Sequence, residues 1–378
     1  MIPYGHHDID EDDIAAVVAT LRSDWLTTGP GVEAFEQDLE NWTGGVPVVA
    51  VSSGTAALHT AYAAAGIGPG DEIITPPITF IATQATAVML GATIVFADVL
   101  PDTANIDPRA VEAAITGSTK AIVAVDYAGH PADMDELRVI ADKHGLLLIE
   151  DAAHSLGSTY RGRPVGSLAD ITAFSFFPTK NITTAEGGAV AVRDEQLRRK
   201  AREFARQGLV RDPSRHHIAD EGPWHQEVHS FGLNYRLPDV LATLGSQQLK
   251  RLENFKKRRS EIKAKYDFML AGCDEIEEPA QRDYVDSTWH LYPIRVHSER
   301  RRTIFERLRR DGVGVQVNYL PAYWHPAFED RGYRRGLCVV AESFYRREIS
   351  LPMFPVLSTV AIERVVESLV RAIHGGSR

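Results

Sequence analysis

The sequence contains few cysteines, and they form no recognisable ligand or disulfide pattern. Cys273 and Cys338 are the only two among 378 residues. They are too few for a disulfide framework and lack the spacing of a metal site. His6 and His7 are adjacent, a spacing that rarely places both imidazoles on one metal ion. We therefore expect no metal ligands.

Positive charge and long apolar runs are scarce as well. The chain has 41 lysines and arginines against 51 aspartates and glutamates, a net charge of -10. This charge argues against nucleic-acid and anionic-membrane partners, so an anionic ligand must be held by a local site. No apolar run has the length of a membrane span, and residues 1–5 lack a signal-peptide pattern. We expect a cytoplasmic protein.

Short apolar runs alternate with helical patterns from Val46 onward. The predicted strands cover 48–51, 72–75, 93–97, 121–125, 146–149 and 189–192, and the predicted helices cover 55–65, 80–90, 108–115, 135–144 and 195–206. Continuous apolar strands separated by helices predict an α/β fold with a mostly parallel sheet covered on both faces. Ligands bind such sheets at the carboxyl ends of the strands, where residues 52–55, 150–154 and the Lys180 loop are expected.

Lys180 follows an apolar run and a proline, in the segment Ala-Phe-Ser-Phe-Phe-Pro-Thr-Lys of residues 173–180. The pattern predicts a strand that ends in a loop carrying this lysine. A lysine beside a desolvated wall or another cation has a lowered pKa, and its neutral amine can attack a carbonyl to form a Schiff base. The alternative is an ordinary solvated lysine.

Two further segments match the needs of a phosphorylated pyridine aldehyde. Ser53, Gly54 and Thr55 begin a predicted helix, whose amides and dipole favour a phosphate, although a plain helix cap explains them equally well. Asp151 follows a buried strand, where its carboxylate can keep a pyridine nitrogen protonated, or can simply cap a helix. His154 can reach a ring hydroxyl, or be an ordinary hydrogen-bonded histidine.

Phe80 and Ser175 complete the proposed site. Phe80 lies at a strand-to-helix turn, where it can stack on the apolar ring face or pack in the core. Ser175 stands five residues before Lys180 and can point its hydroxyl at the phosphate, or be a satisfied strand serine. Each residue has a plain structural explanation, but their joint occurrence in this order favours one site.

These segments resemble the DegT/StrS family of pyridoxal-phosphate (PLP)-dependent nucleotide-sugar aminotransferases. The resemblance also rests on Thr-Thr-Ala-Glu-Gly-Gly at 183–188, Asp239, Leu-Gly-Ser-Gln at 244–247 and Ser-Leu-Pro at 350–352. It covers nearly the whole chain and implies the PLP-dependent transferase fold of type I, the aspartate-aminotransferase type. A large PLP-binding domain with an N-terminal arm is expected over 1–250, and a smaller C-terminal α+β domain over 251–378. A long helix from Pro238 to Leu270 would bridge the two.

The resemblance assigns roles to individual residues. Lys180 matches the Schiff-base lysine and Asp151 the partner of the pyridine nitrogen, so both are expected to be catalytic. The other expected cofactor contacts are Gly54, Thr55 and Ser175 at the phosphate, Phe80 on the ring, His154 near the ring hydroxyl and Asn234 at the phosphate of the neighbouring subunit. The last contact implies a homodimer with shared active sites.

Within the family, the segments at 77–80, 125–129 and 182–186 are similar to the branch that makes UDP-4-amino-4,6-dideoxy-N-acetyl-β-L-altrosamine for pseudaminic acid. Asp126, where many members have histidine, favours that branch. L-Glutamate would be the amino donor and a UDP-linked 4-keto-6-deoxy sugar the acceptor. The expected substrate contacts are Tyr4, Trp25, Leu26, Thr27, Thr55, Ser175, Asn234, Tyr323, Trp324 and His325. The loop at 322–326 departs from the family pattern.

Two alternatives stay open. One is amination at C3 or C4 of a TDP-linked keto sugar used for a natural-product glycoside. The other is a regulator that keeps the fold without catalysis, which the presence of both Lys180 and Asp151 disfavours.

Overall fold

The computed structural model describes residues 1–218 and 221–375. Its helices are α1 (Glu11–Leu21), α2 (Pro30–Trp42), α3 (Gly54–Ala64), α4 (Ala82–Met89), α5 (Pro108–Ala114), α6 (Met134–His144), α7 (Glu195–Phe204), α8 (Asp239–Lys250), α9 (Leu252–Leu270), α10 (Ser298–Arg310), α11 (Pro326–Glu329), α12 (Val339–Arg347) and α13 (Thr359–His374). No helix in these ranges has the length and apolar character needed to cross a bilayer.

The strands are β1 (Val48–Val51), β2 (Glu72–Thr75), β3 (Thr93–Phe96), β4 (Thr119–Val125), β5 (Leu147–Asp151), β6 (Thr159–Tyr160), β7 (Arg163–Pro164), β8 (Ile171–Ser175), β9 (Gly188–Val192), β10 (Leu209–Val210), β11 (Glu227–Val228), β12 (Val285–Asp286), β13 (Tyr292–Arg295) and β14 (Glu348–Leu351). The predicted strands of the sheet are all present. Asp151, expected just beyond its strand, is instead the last residue of β5.

A seven-stranded sheet has the order β1-β9-β8-β5-β4-β2-β3. The strands from β8 to β3 are parallel, as expected, whereas β9 runs antiparallel to both β1 and β8. Since β5 and β8 are parallel neighbours, Asp151 pairs with Ala173 and lies at the same sheet edge as the loop that follows Ser175. This edge carries the residues that the sequence pointed to.

Helix signals in the sequence explain most of the helix starts. Asp107 caps α5 by accepting from the amide of Arg109, with Pro108 at the first helical position. Gly145 ends α6 in the left-handed conformation, with a φ of 66°. Asp10 and Asp13 form a reciprocal capping box at α1. Because of these local signals, the predicted ends of the helices between the strands differ only slightly from the observed ends.

The expected long helix over 238–270 is two helices. Helix α8 ends at Lys250, and Arg251 (φ -103°, ψ -2°) separates it from α9. The guanidinium of Arg251 pairs with Asp10 at 2.8 Å and with the buried Asp13 at 2.8 Å, which ties this junction to α1. The prediction of one continuous helix was therefore wrong, although the two predicted halves are both helical.

Three apolar clusters fill the molecule. Two of them cover the two faces of the central sheet, and the third lies between α9, α10, α13, β13 and β14. The third includes Ile2, which bridges to Val313, so the N-terminal residues pack with the C-terminal part of the chain. Tyr323 and Phe344 belong to a cluster of the central sheet. The domain boundary at 250 stays a prediction, and residues 376–378 of the predicted small domain lie outside the described ranges.

Candidate active site

A cavity of about 450 Å³ lies at the carboxyl edge of the sheet. Its wall contains seven residues that the sequence analysis predicted for one site: Gly54, Thr55, Phe80, Asp151, His154, Ser175 and Lys180. They come from α3, β5, β8 and three loops, separated by up to 126 residues (180 − 54) along the chain. The structure therefore brings together the predicted cofactor residues, apart from Asn234.

Lys180 is at the inner end of the loop after β8. Its amide donates to the carbonyl of Phe177 at 2.8 Å, which fixes the backbone of this turn. Burial lowers the pKa of its amine to about 8, while the negative charge of Asp151 acts in the opposite direction. An amine with this pKa is neutral in a substantial fraction of molecules near neutral pH, as a nucleophile or a proton carrier requires.

Asp151 is buried and hydrogen-bonded through both carboxylate oxygens. The Thr83 hydroxyl donates to Oδ2 at 2.7 Å, and the amide of Ala153 donates to Oδ1 at 3.2 Å. Burial raises the pKa of this carboxyl, and these donors and Lys180 lower it. Asp151 and Lys180 line the same cavity but form no ion pair in the described part of the chain. A buried carboxylate without an adjacent cation is suited to a cationic ligand.

His154 borders the cavity next to a tyrosine from the C-terminal part of the chain. Its Nε2 lies 3.2 Å from the hydroxyl of Tyr319, whose ring also meets Phe80 edge-on at 6.4 Å between centroids. Burial, followed by the charge of Lys180, lowers the pKa of His154 well below its ordinary value, so its ring is neutral. Its Nδ1 is buried and has no partner among the described residues.

Tyr319 is held in place through its neighbour Asn318. The amide of Asn318 donates to the buried carboxylate of Glu348 at 2.7 Å, and the Tyr127 hydroxyl donates to its carbonyl at 2.6 Å. The Asn318 side chain donates to the hydroxyl of Tyr4 at 2.6 Å. Tyr4, an expected substrate contact, is thus near the cavity without lining it.

The amino end of α3 forms the opposite side of the cavity. Ser53 caps the helix by accepting from Ala56 at 3.0 Å, whereas the amides of Gly54 and Thr55 make no hydrogen bond within residues 1–218 and 221–375. Ser175 packs closely here, since a Cβ on Gly54 would lie 2.6 Å from the Ser175 Cβ. Free amides, a helix dipole and a hydroxyl together form an anion site.

These features fit PLP. The free amides at α3 and the Ser175 hydroxyl would hold its phosphate, Asp151 would hold its pyridine nitrogen, and the unpartnered Nδ1 shows that the polar groups around the cavity are not all satisfied by the chain itself. Phe80, with 59% of its surface exposed, is available to cover an apolar ring.

Some predicted residues lie outside the cavity. Asn234 is exposed, and within the described residues its side chain accepts a hydrogen bond only from the amide of Arg236, at 3.4 Å. Trp25, Leu26 and Thr27 form an exposed loop beside the start of α8. Their roles stay predictions.

The 322–325 segment is also outside the cavity. Tyr323 has no exposed surface, packs on Phe96 and donates to Glu342 at 2.9 Å, so its placement does not support direct sugar contact. Trp324 donates to the same carboxylate, and His325 is half-buried at the start of α11. The departure of this loop from the family pattern agrees with a packing role for Tyr323.

The sequence analysis missed Thr83 and Tyr319. Thr83 is one helical turn after Thr79, to which it is hydrogen-bonded at 2.9 Å, and this spacing next to Phe80 was a usable signal. Tyr319 is more than 130 residues from Lys180, and no local pattern indicates where its loop packs. Glu186, inside the quoted 183–188 motif, also lines the cavity.

Comparisons with known proteins show the family of this chain. Residues 7–370 match the DegT/DnrJ/EryC1/StrS aminotransferase family. The spore coat polysaccharide biosynthesis protein SpsC of Bacillus subtilis is 38% identical over 99% of this chain and 97% of its own.

Two solved structures are similar over almost the whole chain. The sugar aminotransferase Spr1654 of Streptococcus pneumoniae, solved in PMP- and PLP-forms, has a TM-score of 0.93 in its PMP-form at 33% identity, covering 98% of this chain and 99% of its own. PseC of Helicobacter pylori, an aminotransferase of pseudaminic acid biosynthesis, has a TM-score of 0.93 at 33% identity, covering 99% and 100%.

Proposed function

Because this chain belongs to the DegT/DnrJ/EryC1/StrS aminotransferase family, and is therefore a PLP-dependent sugar aminotransferase, we propose a specific reaction for it. The enzyme moves the amino group of L-glutamate to C4 of a UDP-linked 4-keto-6-deoxy-2-acetamido hexose. The products are 2-oxoglutarate and a 4-amino-4,6-dideoxy sugar nucleotide. The observation that carries the proposal is the cavity that holds both the Lys180 amine and the Asp151 carboxylate, in a chain similar to PseC from end to end.

When bound, PLP supplies an aldehyde that accepts the amino group and a cationic ring that withdraws electrons from the carbon losing its proton. Asp151 keeps that ring nitrogen protonated, and Thr83 and Ala153 hold its carboxylate in one orientation. Lys180 would hold the cofactor through its side-chain amine. With a pKa lowered to about 8, that amine could also take up and release the proton of the carbon that carries the amino group.

The neutral His154 supports the cofactor without adding a positive charge. Its Nε2 lies beside the hydroxyl of Tyr319, which orients the ring, and its Nδ1 is buried and has no partner among the described residues. Phe80 and Tyr319 form an aromatic edge across the cavity, which restricts water where the sugar ring would enter.

We propose that two chains share each active site. Asn234 and the Trp25–Thr27 loop are exposed and lie outside their own cavity. Large apolar side chains are exposed around them, with 95% of Phe231, 42% of Leu233, 53% of Trp25 and 50% of Leu26 accessible. Exposed apolar side chains on these two segments favour a partner subunit, and Asn234 would then contact the phosphate in the neighbouring active site.

The UDP-linked sugar is supported by similarity and not by a contact. Asp126, which favours the pseudaminic acid branch, is fully buried and accepts from Ser155 at 2.5 Å and from the amide of Ala132 at 3.1 Å. Asp126 does not line the cavity, so it cannot select the sugar by direct contact. The TDP-linked sugars therefore belong in any test.

The test is a substrate panel. Purified enzyme with PLP is given one of three amino donors: L-glutamate, L-alanine or L-aspartate. Each donor is combined in turn with one of three acceptors: UDP-2-acetamido-4-keto-6-deoxyhexose, a TDP-4-keto deoxysugar or a TDP-3-keto deoxysugar. NMR then shows which carbon of the product carries the new amine. We expect turnover with glutamate and the UDP sugar, at C4. Preferred turnover of a TDP sugar contradicts the substrate assignment. Retention of cofactor colour with every donor supports the non-catalytic alternative. The Lys180→Ala variant is the blank.

A further inference from the structure

A cluster of histidines around one carboxylate lies away from the cavity, in the segment between α7 and α8. Strands β10 and β11 pair there, with Val210 opposite Glu227. His225, Glu227 and His229 occupy alternating positions at β11, and alternating residues of an extended chain project to the same side. His216 and His217 approach from the other arm of the segment. We call His217, Glu227 and His229 the hairpin triad.

Glu227 is fixed before any ligand arrives. Its carboxylate accepts from the backbone amides of His217 and Ile218, both at 2.8 Å. The side chain of His229 lies 2.6 Å from Oε2, and that of His225 lies 3.2 Å from Oε1. Only 10% of the Glu227 side chain is exposed. A carboxylate held by main-chain donors is a rigid point around which the imidazoles are arranged.

The imidazoles of the hairpin triad have nitrogen atoms to spare. The rings of His217 and His229 are stacked at 4.6 Å with an angle of 18°. The His217 ring makes no hydrogen bond to any residue within the described ranges. An imidazole ring nitrogen that carries no hydrogen offers a lone pair, and such lone pairs bind metal ions.

We propose that the hairpin triad binds a divalent transition-metal ion such as Zn²⁺. One ligand atom from each of His217, Glu227 and His229 lies within 4.8 Å of the others. Zinc bonds of about 2.0–2.2 Å hold tetrahedral ligand atoms about 3.4 Å apart, so the 2.6 Å contact of His229 with Glu227 has to open while the longer separations, up to 4.8 Å, close by side-chain rotation. Each imidazole binds through one nitrogen and keeps its proton on the other. His225 or water takes the fourth position, and two imidazoles with a carboxylate suit zinc.

The ion would fasten the segment between α7 and α8. Strands β10 and β11, on the two arms of this segment, pair at two positions, Leu209 with Val228 and Val210 with Glu227. A metal bond from His217 to His229 adds a crosslink between the two arms. The hairpin triad does not line the Lys180 cavity of its own chain, so the proposed metal site does not depend on which sugar the enzyme uses.

A second group of possible ligands provides the matched control. Cys273, Glu275 and His374 also lie within 4.8 Å of one another. Glu275 is exposed there and contacts the other two only at 3.6 and 3.7 Å, without the main-chain donors that fix Glu227. Cys273→Ser therefore tests the competing location while leaving the hairpin triad intact.

The experiment is equilibrium dialysis of untagged, PLP-loaded protein against Zn²⁺. We expect the wild type and Cys273→Ser each to bind one Zn²⁺ ion per chain. In Glu227→Gln, and in the double variant His217→Ala, His229→Ala, the affinity for Zn²⁺ should be at least about tenfold weaker than in the wild type. Zn²⁺ should also slow tryptic cleavage at Arg211 in the wild type and not in the double variant, with cleavage sites read by mass spectrometry.

Three results would overturn the proposal. These are no Zn²⁺ bound by the wild type, wild-type affinity in the double variant, or loss of the ion in Cys273→Ser with the hairpin triad intact. Cobalt(II) provides an independent check that does not depend on affinity, because a tetrahedral site gives an intense visible spectrum and solvated cobalt does not. That spectrum should disappear in the double variant, and its persistence would place the ion elsewhere.

Discussion

Thr83 controls the group that faces the cofactor ring. Its hydroxyl donates to Asp151 and also contacts Thr79, so a short chain of hydroxyl groups ends on the carboxylate. A hydrogen bond to a charged group contributes about 1.5–3 kcal/mol, more than one between neutral groups. The buried carboxylate therefore depends on Thr83 for its orientation and its charge.

Replacing Thr83 by valine should lower kcat about tenfold or more, because Asp151 loses its hydroxyl donor at 2.7 Å while the side-chain volume is kept. Thr83→Ser retains the hydroxyl and is the matched control. Steady-state kinetics and the pH at which the bound cofactor changes its absorption spectrum are the measurements. Equal kcat values in the two variants would show that the hydrogen bond is unimportant for Asp151.

Lys180 should make capture of PLP by the apoenzyme depend on pH. The neutral amine attacks, and burial lowers its pKa to about 8, so the rate should rise from pH 6.5 and level off above about 8.5. An ordinary lysine would show a rise continuing beyond pH 10. The rate is followed by visible absorbance, and borohydride reduction confirms the covalent bond. Lys180→Ala should capture none, and a plateau only above pH 10 would contradict the lowered pKa.

The residues found from sequence and those missed differ in a simple way. Lys180, Asp151 and Gly54 stand directly at strand or helix ends, where the alternating pattern fixes their position at one sheet edge. Tyr319 arrives through a loop, and its position depends on the buried contacts of Asn318 with Tyr127 and Glu348. Tertiary contacts between distant loops leave no periodic signal, so such residues could not be placed from the sequence.

At the scale of elements, the start of α3 packs against the end of β8. Gly54 is required there because a Cβ would approach Ser175 to 2.6 Å at Cβ and 2.8 Å at Oγ. This close approach is what places the amides of Gly54 and Thr55 next to the Ser175 hydroxyl.

Gly54→Ala should therefore weaken PLP binding by about one order of magnitude or more, since α3 must move away from β8 and its amides from the phosphate. Gly117→Ala is the control, because no atom lies within 4 Å of a Cβ at that position. Titration of apoenzyme with PLP gives the two dissociation constants. If both variants bind as the wild type does, the α3 amides are not the phosphate site.

The regular elements were largely predictable, and their junctions were not. The strands from β1 to β5 are apolar runs bounded by turn residues, so composition locates them within one or two residues. The break between α8 and α9 has no glycine or proline, and the apolar spacing of Leu249 and Leu252 continues across it. It is stabilised by ion pairs from Arg251 to α1, which lie more than 200 residues earlier and are invisible to local patterns.

At the scale of the whole molecule, the proposed sharing of active sites can be tested by complementation. Lys180→Ala and Asn234→Ala chains should each have low activity alone. In a mixed dimer, one cavity carries both changes and the other carries none. Refolding the two chains together in equal amounts should restore about a quarter of the wild-type sites, since half of the dimers are mixed and each has one intact cavity of two.

The measurement is activity per chain after mixing, compared with each variant refolded by itself. Phe268→Ala, at an exposed position on α9 outside the cavity, is the control partner for Lys180→Ala. After mixing with Lys180→Ala, the activity should equal that of the Phe268→Ala chains alone, with no increase caused by mixing. Activity that stays at the sum of the two separate variants would show that Asn234 acts within its own chain or not at all.

The bridge between Ile2 and Val313 can form only after both residues have been synthesised. Ile2 is translated before Val313, which follows 311 residues later (313 − 2), about 15–60 s later at ordinary translation rates. The hydrogen bond of Tyr4 likewise cannot form until Asn318 has been synthesised. Ile2 and Tyr4 therefore stay unpaired while the strands of the central sheet are being translated, and the wall around Tyr319 forms only after Asn318 and Glu348 have been made.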